Sequence, residues 1–168
     1  MMDILDNMSS LPEWDDDRFN AQEEEDDGES WKKQALRESS KALYEQWRQV
    51  MTGINALLAS DEADRQEVDE FWTEQKRMLL GDAYQIAVKI LTCGRAGMYV
   101  IQMENAAIVR KNALLIYGQL LSFAFEEKIE MPHAEAVMAD IDVFRQLFKA
   151  WIATFSKDEF KDDWGFFV

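Results

Sequence analysis

From Ser30 to Phe155 the apolar residues recur at intervals of three, four and seven, interrupted before Pro132 only by short breaks after Ala59 and around Gly94–Gly97. A spacing of three and four returns to the same face of an α-helix, whereas a half-buried strand would alternate every second residue. The pattern therefore predicts an all-α chain. With 7 Gly and 2 Pro in 168 residues there is little punctuation for a many-turned β fold.

Four segments carry the pattern. The first runs from Ser30 to Ala59 with Leu36, Leu43, Trp47, Val50, Ile54 and Leu57 on one face. Gly53 is tolerated within it at a cost of about 1 kcal/mol. The second is expected from Asp61 to Cys93, capped by Ser60 or Asp61. Its seam (Val68, Trp72, Gln75, Leu79, Ala83, Ile86, Ile90 and Cys93) passes Gly81 without losing phase, so one continuous helix is favoured over two short ones. Gly94 supplies a left-handed C-cap for it.

The third segment spans Met98 to Lys128 and is the most apolar. Asn105, Asn112, Gln119 and Glu126 fall seven residues apart on one of its stripes. This stripe reads as a solvated face; a buried polar layer that specifies register is the sharper alternative. The fourth helix opens near Pro132, which suits a first turn. It carries Val137, Ile141, Phe144, Phe148, Trp151 and Phe155. Similar lengths joined by short turns give an up-and-down bundle of four long antiparallel helices. The tail from Ser156 interleaves Phe160, Trp164, Phe166 and Phe167 with acids and reads as a lid over the bundle's open end.

Charge divides the chain in two. Of a net −15, residues 1–30 hold 12 acids and one base, a net of −11, and the other 138 residues hold only −4. Residues 1–29 thus form an acidic arm, expected to be flexible or loosely docked, ahead of a bundle over residues 30–168. Apolar residues set among the acids, Leu11, Trp14 and Phe19 included, fit either docking onto the bundle or an external partner. A nearly neutral body lacks the basic footprint of a protein that binds nucleic acid directly.

The chemistry available is narrow. The single cysteine, Cys93, excludes an internal disulfide. The N-terminus has neither the basic nor the apolar part of a signal peptide. The longest uncharged run, Asn112 to Phe125, is 14 residues, too short to span a bilayer. The expectation is a cytoplasmic protein without membrane contact.

One histidine, His133, cannot furnish the two Glu-x-x-His pairs of a di-iron bundle. Gly-rich phosphate loops are missing from the sequence. Glu126-Glu127-Lys128-Ile129-Glu130 and Glu159-Phe160-Lys161-Asp162 match the two halves of a Mg²⁺ motif used by all-α nucleotide pyrophosphohydrolases. Antiparallel packing would hold those halves roughly 35 Å apart at 1.5 Å per residue, far beyond one ion's reach.

No cofactor or metal is therefore expected. The functional expectation is a non-enzymatic interaction module, an adaptor, small acidic chaperone or regulator, that binds a protein partner, favouring a basic one through its acidic arm. Leu11, Trp14, Phe19, Ile108 and Leu115 are the candidate partner-binding residues, the last two also marking a surface for a homodimer. The alternative is a metal-dependent all-α hydrolase whose carboxylates converge between helices, recognisable by three or more buried acids.

Overall fold

The computed structural model describes residues 10–17, 30–59, 69–94 and 97–166. Among these residues four helices make up the body: α1 (Ser30–Ala59), α2 (Glu70–Cys93), α3 (Tyr99–Phe125) and α4 (Met131–Ile152). Each packs against two neighbours, in the ring α1–α2–α3–α4–α1, and the α2–α3 and α1–α4 pairings are the most extensive. This is the expected all-α bundle.

Side-chain pairs give the sense of packing. Trp151 Nε1 donates to Ser40 Oγ at 2.9 Å, and Gln46 Nε2 donates to the Asp140 carbonyl at 3.0 Å. These pairs run in opposite directions along α1 and α4. The same holds for α2 and α3, where Asn112 meets Gln85 and Lys128 meets Asp69. Three indoles, those of Trp47, Trp72 and Trp151, lie wholly inside the bundle. A buried indole N–H needs an acceptor. Trp47 finds the Ala83 carbonyl of α2 at 2.8 Å, and Trp151 finds Ser40. Aromatic edges fill the remaining space: Trp72 stands edge-on to Phe123 with centroids 4.7 Å apart, and Trp47 lies 4.8 Å from Phe144.

Several local expectations are corrected. The second helix begins at Glu70, because Asp69 is extended (φ −85°, ψ 100°) and its carboxylate accepts the Trp72 N–H. That cap satisfies a donor that a longer helix would have bonded internally. Residues 60–68, including the expected caps Ser60 and Asp61 and the seam residue Val68, lie outside the described residues. Gly81 is passed without a break. Gly94 is right-handed (φ −62°), so it is not the left-handed cap expected there.

The left-handed cap belongs to Glu127 at the end of α3, with φ 56°. Lys128 N–H bonds the Phe123 carbonyl and Glu127 N–H bonds that of Ala124, the paired bonds of a Schellman ending.

The polar stripe of α3 is not a solvated face. Asn105 and Asn112 are buried, the Gln119 amide oxygen is buried as well, and only Glu126 is exposed. The stripe turns towards α2, where Asn112 Nδ2 donates to Gln85 Oε1 at 2.7 Å and to the Asp82 carbonyl at 3.3 Å. This is the buried polar layer of the sharper alternative.

Beyond α4 the tail does not form the expected lid. Phe155, the last residue of the fourth seam, packs on Trp151 at 4.9 Å, but the tail aromatics Phe160, Trp164 and Phe166 are exposed, and Phe167 lies outside the described residues. The reason is the route of the chain. Asp158 Oδ2 accepts the Tyr99 N–H at 2.8 Å, capping α3 where Met98 offers no side-chain acceptor. The tail is thereby held at the corner of α3, with its later aromatics pointing away from the core.

Candidate partner-binding groove

Residues 10–17 lie against the bundle and bring two of the candidate binding residues with them. Leu11 is only 6% exposed and belongs to the hydrophobic core, so its role in this structure is to pack and not to offer an open contact. Trp14 is half-buried, 5.7 Å from the ring of Tyr44, and Tyr44 Oη donates to the Pro12 carbonyl at 2.9 Å. Asp16 receives Lys41 at 3.0 Å and Arg37 at 3.1 Å. Those two donors, together with the Trp14 indole N–H, lower its carboxyl to about 2. Phe19 lies outside the described residues.

The remaining two candidates sit on α3. Leu115 is exposed and Ile108 half-buried, on the flank that turns towards α2. With Ile101 and Leu115, each over 40% exposed, that flank offers apolar surface.

A concave surface lies on the other flank, between α3 and α4. There a groove of about 570 Å³ is lined on α3 by Leu114 and Tyr117 and on α4 by Ile141, Phe144, Phe148 and Ile152. Leu114 is 56% exposed at its edge. The floor is apolar because both helices carry apolar residues beyond the strip that faces the core.

Charged residues stand around it in unequal numbers. Among the described residues Arg110, Arg145 and Lys149 are the cations, and Asp142 is the one carboxylate. Arg145 pairs with Asp142 at 3.0 Å. Among the described residues Lys149 Nζ reaches the neutral Gln146 amide oxygen at 3.5 Å. Arg110 makes no ion pair among the described residues. An apolar cleft with cations left over suits an apolar segment bearing acids.

Sequence reasoning did not find this groove. It assigned Phe144, Phe148 and Ile141 to the core, and Leu114, Tyr117, Arg110, Arg145 and Lys149 drew no comment. A signal exists in the sequence. Arg110, Leu114 and Tyr117 on α3, and Arg145, Phe148, Lys149 and Ile152 on α4, follow helical spacing beside the core seam.

The buried polar and charged side chains are Ser40, Lys76, Gln102, Asn105 and Asn112, with no acid among the described residues. Among those residues no group of three or more His, Cys, Asp or Glu converges as metal ligands would. Glu130 and His133 pair at 3.3 Å on the exposed start of α4. Cys93 is buried, 3.7 Å from the Gln102 carbonyl, and burial pushes its thiol up to about 11. The two halves of the acidic motif flank opposite ends of α3: Glu126–Glu130 follow it, while Asp158 is bonded to its first residue. A helix of 27 residues spans about 40 Å, so these acids do not share an ion.

Fold and site together define a four-helix bundle with a cation-rimmed apolar groove. No protein-family model, curated protein or solved structure matches the chain. No helix among the described residues is long and apolar enough to cross a membrane.

Proposed function

We propose that this chain is a protein-interaction module, an adaptor, small chaperone or regulator, whose α3–α4 groove receives an apolar segment of a partner protein that also carries acids. The observation that carries this reading is the groove itself, a cleft of about 570 Å³ with an apolar floor and an excess of cations at its edge. Burial of Leu114 and of the exposed edges of Tyr117 and Phe148 supplies the affinity, at about 25 cal/mol per Å² of apolar area removed from water. Arg110 and Lys149 supply orientation and encounter rate. A basic partner recruited by the arm remains a separate proposal for the acids of residues 18–29, because Asp16 is already engaged by Arg37 and Lys41.

A photoreactive residue placed at Leu114 tests the groove in cells that make the protein, with one at Glu45, on the exposed side of α1, as control. A defined partner adduct is expected from position 114 alone. It is expected to disappear when Arg110→Glu and Lys149→Glu are combined. Equal labelling from both positions, or no adduct from either, would remove the groove from consideration.

A further inference from the structure

We infer that the groove is filled by the acidic, aromatic tail of a second copy of this chain, residues 156–166, exchanged reciprocally between two protomers. The inference rests on the reading of the groove as a docking site and names its occupant.

Three observations on the tail lead to it. Trp164 is 95% exposed, in a molecule whose other described indoles include three that are wholly buried, and Phe160 is 52% exposed. Its presentation is built by the backbone. Gly165 adopts φ +71°, its N–H bonds the Asp162 carbonyl at 2.9 Å, and Phe166 N–H bonds Asp162 Oδ2 at 2.9 Å. A turn closed by two hydrogen bonds and a left-handed glycine holds the indole outward before any partner arrives, which lowers the entropy cost of docking. Around the aromatics stand Asp158, Glu159, Asp162 and Asp163 against Lys157 and Lys161, a net charge of −2.

The groove matches these features in shape and sign. Arg110, Arg145 and Lys149 against Asp142 give its edge, among the described residues, a net of +2, and its volume is about 570 Å³. In its own protomer the tail is drawn away from the groove by the bond between Asp158 and Tyr99 N–H and by Lys157 lying over the Tyr99 ring at 5.9 Å. Connectivity favours exchange. The tail leaves α4 at Ala153, beside Ile152 at the end of the groove. Groove and tail therefore lie at one corner, and a two-fold axis near that corner lets each tail enter the other protomer's groove. Reciprocal exchange closes the assembly at two copies, whereas one-way docking would leave an open chain.

Disulfide trapping distinguishes the possibilities. Gln146→Cys places a thiol at the groove edge and Asp163→Cys places one beside Trp164; both positions are exposed. Cys93 is silent here because it is buried. Mixing the two single variants under mild oxidation is expected to give a covalent dimer of unlike chains. Pairing Asp163→Cys with Glu45→Cys is expected to be at least about tenfold slower, and Trp164→Ala in the Asp163→Cys chain is expected to slow the first pairing about tenfold or more, as loss of a central aromatic anchor does. Light scattering on the unmodified full chain is expected to show its mass rising from monomer to dimer with concentration.

A monomer at all concentrations overturns the inference, as does a double variant that closes its disulfide within one chain while the mixed single variants do not react. The groove itself would still stand if the photoreactive residue at position 114 captured a different protein, so the two readings fail separately.

Discussion

Glu127 shows how a single residue departs from what its neighbours suggest. Its φ of 56° lies in the left-handed region, where the β-carbon of an L-residue crowds the backbone. The chain accepts this because the Schellman bonds to Phe123 and Ala124 satisfy two carbonyls at the end of α3. Glycine would adopt the same geometry without the crowding. Glu127→Gly is therefore expected to raise stability by about 0.5–1 kcal/mol, read as a higher urea midpoint with an unchanged slope. A lower midpoint would mean that the Glu127 side chain contributes more than its backbone costs. This cap was not readable from composition. Gly94 carries the residue type that suggests a left-handed ending, yet the left-handed geometry falls on a glutamate. What decides it is where the chain must reverse to send α4 back along α3, and that is a tertiary requirement.

At the level of elements, the bounds of α1 and the end of α2 followed from apolar spacing together with local punctuation, Ser30 ahead of the first seam and Gly94 after the second. The start of α2 did not, because the acids around Asp69 suit a helix interior and a cap equally well. The polar stripe of α3 was ambiguous for a related reason: side chains seven residues apart share a stripe whether water or a neighbouring helix covers it. Glycine separates the helices in the same way. A β-carbon built at Gly81 meets nothing within 4 Å, but one built at Gly53 lies 3.0 Å from Val137 Cγ2 on α4. Gly81 thus only costs helix propensity, whereas Gly53 permits close approach of α1 and α4. Gly81→Ala is expected to stabilise the protein by about 1 kcal/mol. Gly53→Val is expected to destabilise it by about 1–3 kcal/mol through overpacking. Thermal unfolding of both checks the pair, and the same sign for both would contradict the assigned packing.

For the molecule as a whole, the bundle was legible because burial of one face per helix is a periodic signal, while the groove was not, because it depends on which flanks of α3 and α4 meet. The division at residue 29 by charge was also incomplete. Part of the acidic arm is structural: Leu11 is in the core, Pro12 accepts from Tyr44, and Asp16 sits between Arg37 and Lys41. Two effects then oppose each other when residues 1–29 are removed. Loss of the Leu11 contacts destabilises, while loss of a net charge of −11 from an acidic chain relieves repulsion. At 0.15 M salt the screening length is about 8 Å, so most of that repulsion is already weakened and the packing loss dominates. Leu11→Ala isolates the packing contribution because it leaves every charge in place. It is expected to cost about 2 kcal/mol, a fall in Tm of roughly 4–8 °C for a domain of this size. Removal of residues 1–29 is expected to lower the Tm as well, and raising the salt is expected to leave the Leu11→Ala loss unchanged. If neither variant moved the Tm, residues 10–17 would be resting on the bundle without stabilising it, and the arm would be free to serve a partner along its whole length.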